Sequence, residues 1–361
     1  MTGQQVPRFV VDEFSSPLEG TLKKSLFILL FLVVAFAVTL MNCGSDTHPA
    51  AISSQFAFIQ PSTTGSVAGM SAAERHFRME HPGAWLAMRK QHSGNGLKPW
   101  TNTIQNGGDN IVLMNNDGSG QAVVANQAGW FDAVQEGYDG KRGIVSAQDS
   151  SGNYQLFYVD LKNQKNPVVT QITTVVEDRW SPQISWDGKQ VVFVANLNGE
   201  GGRAYLMSAS GGTETEIPTT FWVSTPSFTP NGKILFEQED NDSIAIMNTD
   251  GSGFTQLTNP DHTYFDEYPG ASPDGKTMVF ARYPANDSGG EDIWIANIDG
   301  TNQKQLTTDG TSWDPMFVNN KIVFLSARDN VGGLEVYSMN VDGSNQMRLT
   351  NDTVSEYFDG W

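Results

Sequence analysis

Tyr268-Pro269-Gly270-Ala271-Ser272-Pro273-Asp274-Gly275 opens a block that continues through Thr277-Met278-Val279-Phe280 and Ile293-Trp294-Ile295-Ala296-Asn297. It turns at Asp299-Gly300 and closes on Gln305-Leu306-Thr307. Short apolar runs bounded by Asp-Gly read as strands joined by tight hairpins, because these turn residues accept the positive φ that such turns require. The block recurs. Downstream stand Asp314-Pro315, Asn319-Asn320, Ile322-Val323-Phe324, Val336-Tyr337-Ser338-Met339, Asp342-Gly343 and Arg348-Leu349-Thr350. Upstream stand Pro226, Asn231-Gly232, Ile234-Leu235-Phe236, Ile244-Ala245-Ile246-Met247, Asp250-Gly251 and Gln256-Leu257-Thr258. Earlier copies carry Trp186-Asp187-Gly188 with Val191-Val192-Phe193, and Asp139-Gly140 with Ile144-Val145-Ser146.

The first turns fall at Asp139, Asp187, Asn231, Asp274 and Asn319, in steps of 48, 44, 43 and 45 residues. A period of about 40–45 residues with four short strands per unit is the signature of a β-propeller blade. Five copies are complete. The chain ends on Glu356-Tyr357-Phe358-Asp359-Gly360-Trp361, which matches only a first strand. Residues 110–125 match a third and a fourth strand, and Phe56-Ala57-Phe58-Ile59 matches a second. The sequence therefore predicts an all-β, six-bladed propeller over residues 44–361. Its sixth blade is split, with the inner strand from the C-terminus and the rest from the N-terminus. Residues 61–109 are a long insertion within it. Such closure removes free sheet edges.

The Ser-Pro-Asp-Gly turn, the Val-Phe strand, the Asn-x-Asp-Gly turn and the closing Leu-Thr resemble the PD40-like repeat of TolB-type propellers, over residues 110–361. The resemblance implies a non-enzymatic, envelope-located scaffold that binds other proteins. The family's namesake carries an extra N-terminal α/β domain, for which the residues ahead of the repeats leave no room. One fold hosts many functions, so the site must be read separately.

Of 361 residues, 40 are acidic and 22 basic, a formal net charge of −18. Residues 1–100 carry 8 basic and 6 acidic side chains, whereas residues 101–361 carry 14 and 34. A surface that acidic repels nucleic acid, whose binding is built from Lys and Arg. It favours cations or basic proteins. Cys43 is the single cysteine, so no intrachain disulfide forms. Lys23 and Lys24 precede an apolar run of 16 residues, Leu26 to Met41. That run is shorter than the roughly 20 residues of a spanning helix and reads as an export signal. Cys43, directly after it, resembles a bacterial lipobox cysteine, although Asn42 departs from the small residue expected there. Residues 1–43 are therefore expected to be a lipoprotein-type leader, which would place the chain in the periplasm or outer envelope of a bacterium, lipid-anchored. The alternatives are a plain signal, cleaved or uncleaved, and a chance apolar stretch, and the long segment ahead of Lys23 leaves a misassigned start open.

The links between repeats carry aromatic and acidic residues together: Trp130-Phe131-Asp132, Asp178-Arg179-Trp180, Phe265-Asp266-Glu267, Trp313-Asp314 and Tyr357-Phe358-Asp359. The candidate mouth is Asp132, Asp178, Asp266, Asp314 and Asp359 with Trp130, Trp180, Trp313 and Tyr357. Converging carboxylates focus negative potential, suiting a basic peptide or a cation such as Ca²⁺. The competing reading is architectural: each Asp caps backbone N–H groups of a neighbouring blade and each aromatic fills the wedge between blades. A functional ring predicts that Asp266→Asn with Asp314→Asn leaves folding nearly intact. The insertion 61–109, with Arg75, Arg78, Arg89, Lys90 and Lys98, is either a basic lid over this mouth or an undocked decoration. No Gly-x-Ser-x-Gly elbow and no His-Glu-x-x-His occurs, and His262 is the one histidine within the repeats. No cofactor is expected beyond Ca²⁺. The alternative function is a carbohydrate-active or carbohydrate-binding propeller, since the mouth aromatics suit sugar stacking.

Overall fold

The repeats form antiparallel sheets of the expected kind. The computed structural model describes residues 55–60, 110–126, 131–136, 140–149, 151, 153–165, 167–195, 201–259, 261–285, 290–329 and 334–351. Expectations for the leader with Cys43, the insertion 61–109, Trp130, Tyr357, Asp359 and the C-terminal strand fall outside these residues. Among the described residues no helix is long and apolar enough to cross a membrane.

A three-stranded sheet comes first, built from β1 (Gln55–Gln60), β2 (Asn110–Asn115) and β3 (Ala122–Asn126). Five four-stranded blades follow. The first is β4 (Phe131–Glu136), β5 (Arg142–Gln148), β6 (Tyr154–Asp160) and β7 (Val168–Gln171). The second is β8 (Arg179–Ile184), β9 (Gln190–Ala195), β10 (Arg203–Ser208) and β11 (Thr215–Glu216). The third is β12 (Val223–Phe228), β13 (Lys233–Gln238), β14 (Ser243–Asn248) and β15 (Thr255–Gln256). The fourth is β16 (Tyr264–Ala271), β17 (Thr277–Pro284), β18 (Asp292–Asn297) and β19 (Lys304–Gln305). The fifth is β20 (Ser312–Val318), β21 (Lys321–Ser326), β22 (Glu335–Asn340) and β23 (Met347–Arg348).

Among the described residues the complete blades number five, not the expected six. The sixth sheet lacks a first strand among the described residues, because β1, β2 and β3 supply only strands two, three and four.

The Val-Phe motif fills the wedges between sheets. Phe193, Phe236, Phe280 and Phe324 sit at the centre of the second strands β9, β13, β17 and β21 and are fully buried. Burying such a side chain contributes roughly 1.5–3 kcal/mol. The closing Leu-Thr has a polar task. Thr173, Thr258, Thr307 and Thr350 each accept, on Oγ1, the N–H of the third-strand residue Leu156, Ile244, Ile293 or Val336, at 2.8–2.9 Å. Those amides lie where the short fourth strand has ended, so the hydroxyl replaces a ladder partner.

The Asp-Gly turns are self-contained. Asp250 Oδ1 accepts the backbone N–H of Ser252 at 2.9 Å and its hydroxyl at 2.6 Å, and Asn248 donates to the same hydroxyl. Gly300 has φ 82° and lies so close to the preceding blade that an added Cβ would stand 2.2 Å from the Leu257 carbonyl oxygen. The same turn-on-blade contact joins Gly343 to Leu306, and Gly118 of the three-stranded sheet to Leu349 of the fifth blade. That sheet packs on both neighbours: Val112 and Met114 join the core of the fifth blade, while Leu113 and Ala57 join that of the first.

The first strands of the second to fifth blades, β8, β12, β16 and β20, each bend at one place. Register slips between Trp180 and Gln183, Ser224 and Ser227, Glu267 and Gly270, and Trp313 and Met316. The bulge holds a proline preceded by a residue in left-handed conformation: Ser181 (φ 45°), Thr225 (φ 40°), Tyr268 (φ 52°) and Asp314 (φ 51°). Proline cannot donate to the ladder, so a bulge is where it can sit.

Candidate functional site

Antiparallel order places the one–two and three–four hairpins at one end of every blade. The two–three loops and the links between blades lie at the other. The two ends differ in charge: lysines stand beside the turn aspartates Asp117, Asp160, Asp187, Asp250, Asp274, Asp299 and Asp342 at the hairpin end, whereas carboxylates are in excess at the loop end. Every lysine among the described residues is at the hairpin end: Lys141, Lys162, Lys165, Lys189, Lys233, Lys276, Lys304 and Lys321. The loop end holds arginines already committed within the fold. Arg179 pairs with Glu214 at 2.8 Å and Arg328 with Asp309 at 2.8 Å. Arg348 pairs with Glu335, and Arg203 donates to the Phe221 carbonyl at 2.8 Å. Exposed carboxylates of Glu177, Asp240 and Asp261 share that end.

The aspartates expected to form one ring occupy different positions around the bulge. Asp178 lies four residues before Pro182, Asp266 three before Pro269, and Asp314 one before Pro315. Asp178 is half-buried and accepts the Tyr154 N–H at 2.8 Å, so it caps the third strand of the preceding blade. Asp266 is fully buried and forms a bidentate pair with Arg282, at 2.5 Å (Oδ1–Nε) and 2.7 Å (Oδ2–Nη2). Burial raises its carboxyl above the ordinary value, against the opposing pull of the guanidinium. Asp314 is the left-handed bulge residue and is buried. Asp132 falls at the register slip of β4, between Phe131 and Ala133. Its side chain lies outside the described residues. Trp180 is half-buried, and Trp313 belongs to the core of the fifth blade.

A different acidic group is brought together where the third and fourth blades meet. Glu237 on β13 is buried and faces Glu267 on β16, with Glu239 and Asp242 close by. Burial, then the neighbouring Glu267, pushes the Glu237 carboxyl well above its usual range. Thr225 Oγ1 donates to Glu237 Oε2 at 3.4 Å. Burial, then Asp240 and Asp242, lifts Glu239 to about 8. The Tyr283 hydroxyl donates to Glu267, its ring stacked on Phe265 at 4.8 Å, and burial and the surrounding carboxylates raise its pKa. Glu291 adds a further carboxylate beside Tyr283. The signal for Glu237 was present in the repeats: the matching second-strand residues are Ser146, Val194, Ala281 and Leu325, so a carboxylate stands at a mostly apolar position. Among the described residues no group of three or more His, Cys, Asp or Glu side chains is arranged to hold a metal ion.

Four-stranded antiparallel blades in series, each docked on its predecessor, define a β-propeller. Residues 84–288 match the family model described as the TolB beta propeller domain, PD40, and the chain belongs to that family. A stretch of 78 residues is 38% identical to the Tol-Pal system protein TolB of Rhizorhabdus wittichii, which is 20% of this chain and 17% of that protein. The chain thus spans about a sixth of that curated relative. Among solved structures, TolB from Acinetobacter baumannii superposes with a TM-score of 0.58 at 20% identity, over 69% of this chain and 61% of the other. Kuenenia stuttgartiensis hydrazine synthase gives 0.58 at 16% identity, over 86% and 47%. At such identities the likeness is one of fold.

Proposed function

We propose that the chain is a non-enzymatic propeller that serves as a protein-binding scaffold in the bacterial cell envelope and takes a basic protein segment at its acidic loop end. The excess of carboxylates over cations at the loop end carries this reading. The loop end has exposed carboxylates and no lysine among the described residues, and its arginines are bound within the fold. A basic segment would meet complementary potential there, which raises association rate and fixes orientation. The relative's name, a Tol-Pal system protein, supports placement in a comparable multi-protein system. The leader reading, with Cys43 as the lipidated residue, supports the envelope location. Within the mouth set, Asp178, Asp314, Trp180 and Trp313 stay candidates beside Asp132, Asp359, Trp130 and Tyr357, while Asp266 is held by Arg282.

The test is binding of a fluorescent Lys-Gly repeat peptide to the full chain. The triple substitution Glu177→Lys, Asp240→Lys, Asp261→Lys touches exposed positions only and is expected to leave the melting temperature within a few degrees. It should weaken peptide binding about tenfold or more at low salt, where screening is least. Equal binding by both proteins would refute the loop end as the docking face.

The same reading assigns Glu356–Trp361 as the inner strand of the three-stranded sheet, completing a sixth blade. The contacts of Gly118 with Leu349, and of Leu113 with the core of the first blade, support it. Amide hydrogens of residues 356–361 should then exchange as slowly as those of β20. Exchange at the rate of an unstructured peptide would remove the sixth blade from the proposal.

A further inference from the structure

The outer edge of the first blade differs from those of the second to fifth blades, and only the three-stranded sheet, ending on the five-residue β3, has a longer one among the described residues. β11, β15, β19 and β23 are two residues long, which leaves little backbone to pair with. β7 runs for four residues, Val168–Gln171, and no strand pairs with its outer side among the described residues. Ile172 donates its N–H to the Leu156 carbonyl at 2.8 Å. Alternation then turns the N–H and C=O groups of Thr170 and Val168 towards β6, and those of Val169 and Gln171 outward. Val168 is 61% exposed beside this open edge. Long uncovered edges are templates for strand addition, and proteins normally shorten them.

A cavity of about 450 Å³ lies at the start of this strand, lined by Lys141, Lys162 and Lys165 over Gly140 and Leu161. The Leu161 N–H bonds the Lys141 carbonyl at 2.8 Å, tying the two hairpins that form it. Among the described residues, the nearby carboxylate of Asp160 accepts the backbone N–H of Lys162 at 3.0 Å and meets its ammonium at 3.3 Å. Three ammonium groups around one cavity are a local exception in a chain of net charge −18.

We infer that β7 and the lysine cavity form a docking edge for an extended acidic segment of a partner protein, added as a fifth strand to the first blade. Outward backbone groups of Val169 and Gln171 supply the pairing, as in other strand-addition complexes. The lysines choose the charge of the incoming segment and steer its approach. This site is at the opposite end from the basic-segment face and does not depend on it.

The probe is a fluorescein-labelled peptide, Val-Glu-Val-Glu-Val-Glu, titrated into the full chain, with the Val-Lys counterpart as control. The acidic peptide should bind at least about tenfold more tightly than the basic one and slow amide exchange at Val169 and Gln171. Val169→Pro removes an N–H that the blade does not use, so it should abolish binding while the melting curve is kept. Lys162→Glu with Lys165→Glu tests the charge without touching the backbone, and should weaken binding about tenfold at low salt. Equal binding of both peptides, unchanged exchange at Val169 and Gln171, or wild-type affinity in the double lysine variant would overturn the inference. So would concentration-dependent self-association that buries β7, since the occupant would then be a second copy.

Discussion

Replacing Asp266 with alanine is expected to cost about 3–5 kcal/mol of folding stability, the largest single effect of any side chain at the loop end. The substitution leaves the Arg282 guanidinium buried without its counter-ion, packed against the rings of Tyr264, Phe280 and Trp294 at 4.7, 5.1 and 4.8 Å. Cation–π contacts of roughly 0.5–2 kcal/mol each do not offset a lost bidentate carboxylate. The corresponding cross-strand pairs in other blades are Val223 with Gln238 and Ser312 with Ser326, so the blade does not require an ion pair here. Asp266→Leu with Arg282→Met should therefore recover most of the loss. Denaturant unfolding of the wild type, the single variant and the double variant checks both statements. A single variant within 1 kcal/mol of wild type would show that the pair contributes little. The pairing leads to the opposite expectation for Asp266→Asn with Asp314→Asn, a measurable loss of folding stability.

The second large effect concerns Glu237. Burial and the neighbouring Glu267 raise its folded pKa well above the ordinary value, and burial lifts that of Glu239 to about 8. A raised carboxyl contributes stability that is fully present below the unfolded value near 4.5 and is lost as pH rises through the folded value. Stability should accordingly fall between about pH 4.5 and pH 8, by on the order of a few kcal/mol, as these groups lose protons beside Glu267 and Asp242. Glu237→Leu inserts the residue found at the matching position of the fifth blade, Leu325. It should raise stability by about 1–3 kcal/mol at pH 8 and reduce the slope, because the Glu237 carboxyl no longer ionises beside Glu267. Unfolding free energies at pH 5 and pH 8 are the measurement. A variant with the wild-type slope would mean that Glu237 is not the titrating group.

Much of the fold was legible because each repeat announces itself by turn chemistry. Asp187-Gly188, Asp274-Gly275 and Asp299-Gly300 mark hairpins, and the Phe193, Phe236, Phe280 and Phe324 strands fill the wedges as the repeat suggests. The site was less legible. Matching the links by their nearest aromatic and acid treated Asp178, Asp266 and Asp314 as equivalent. The bulge at the proline sets the register instead, and one residue of slip sends a side chain to the other face of a strand. That is why one aspartate caps a neighbouring strand, another holds an arginine and the third is itself the bulge. The Glu237 group escaped because its members come from different blades, and only pairing β13 and β16 into adjacent blades brings Glu237 to Glu267.

Lysines and turn aspartates offset one another at the hairpin end, while carboxylates outnumber arginines at the loop end, which gives the molecule a permanent electric dipole along the propeller axis. A dipole in an external field feels a torque before any atom touches. Near an anionic surface the hairpin end should turn inward, and near a cationic partner the loop end should lead, each within about a Debye length of 8–10 Å at physiological salt. Two partners of opposite charge could thus be held at once on opposite poles, with neither competing for the other's approach.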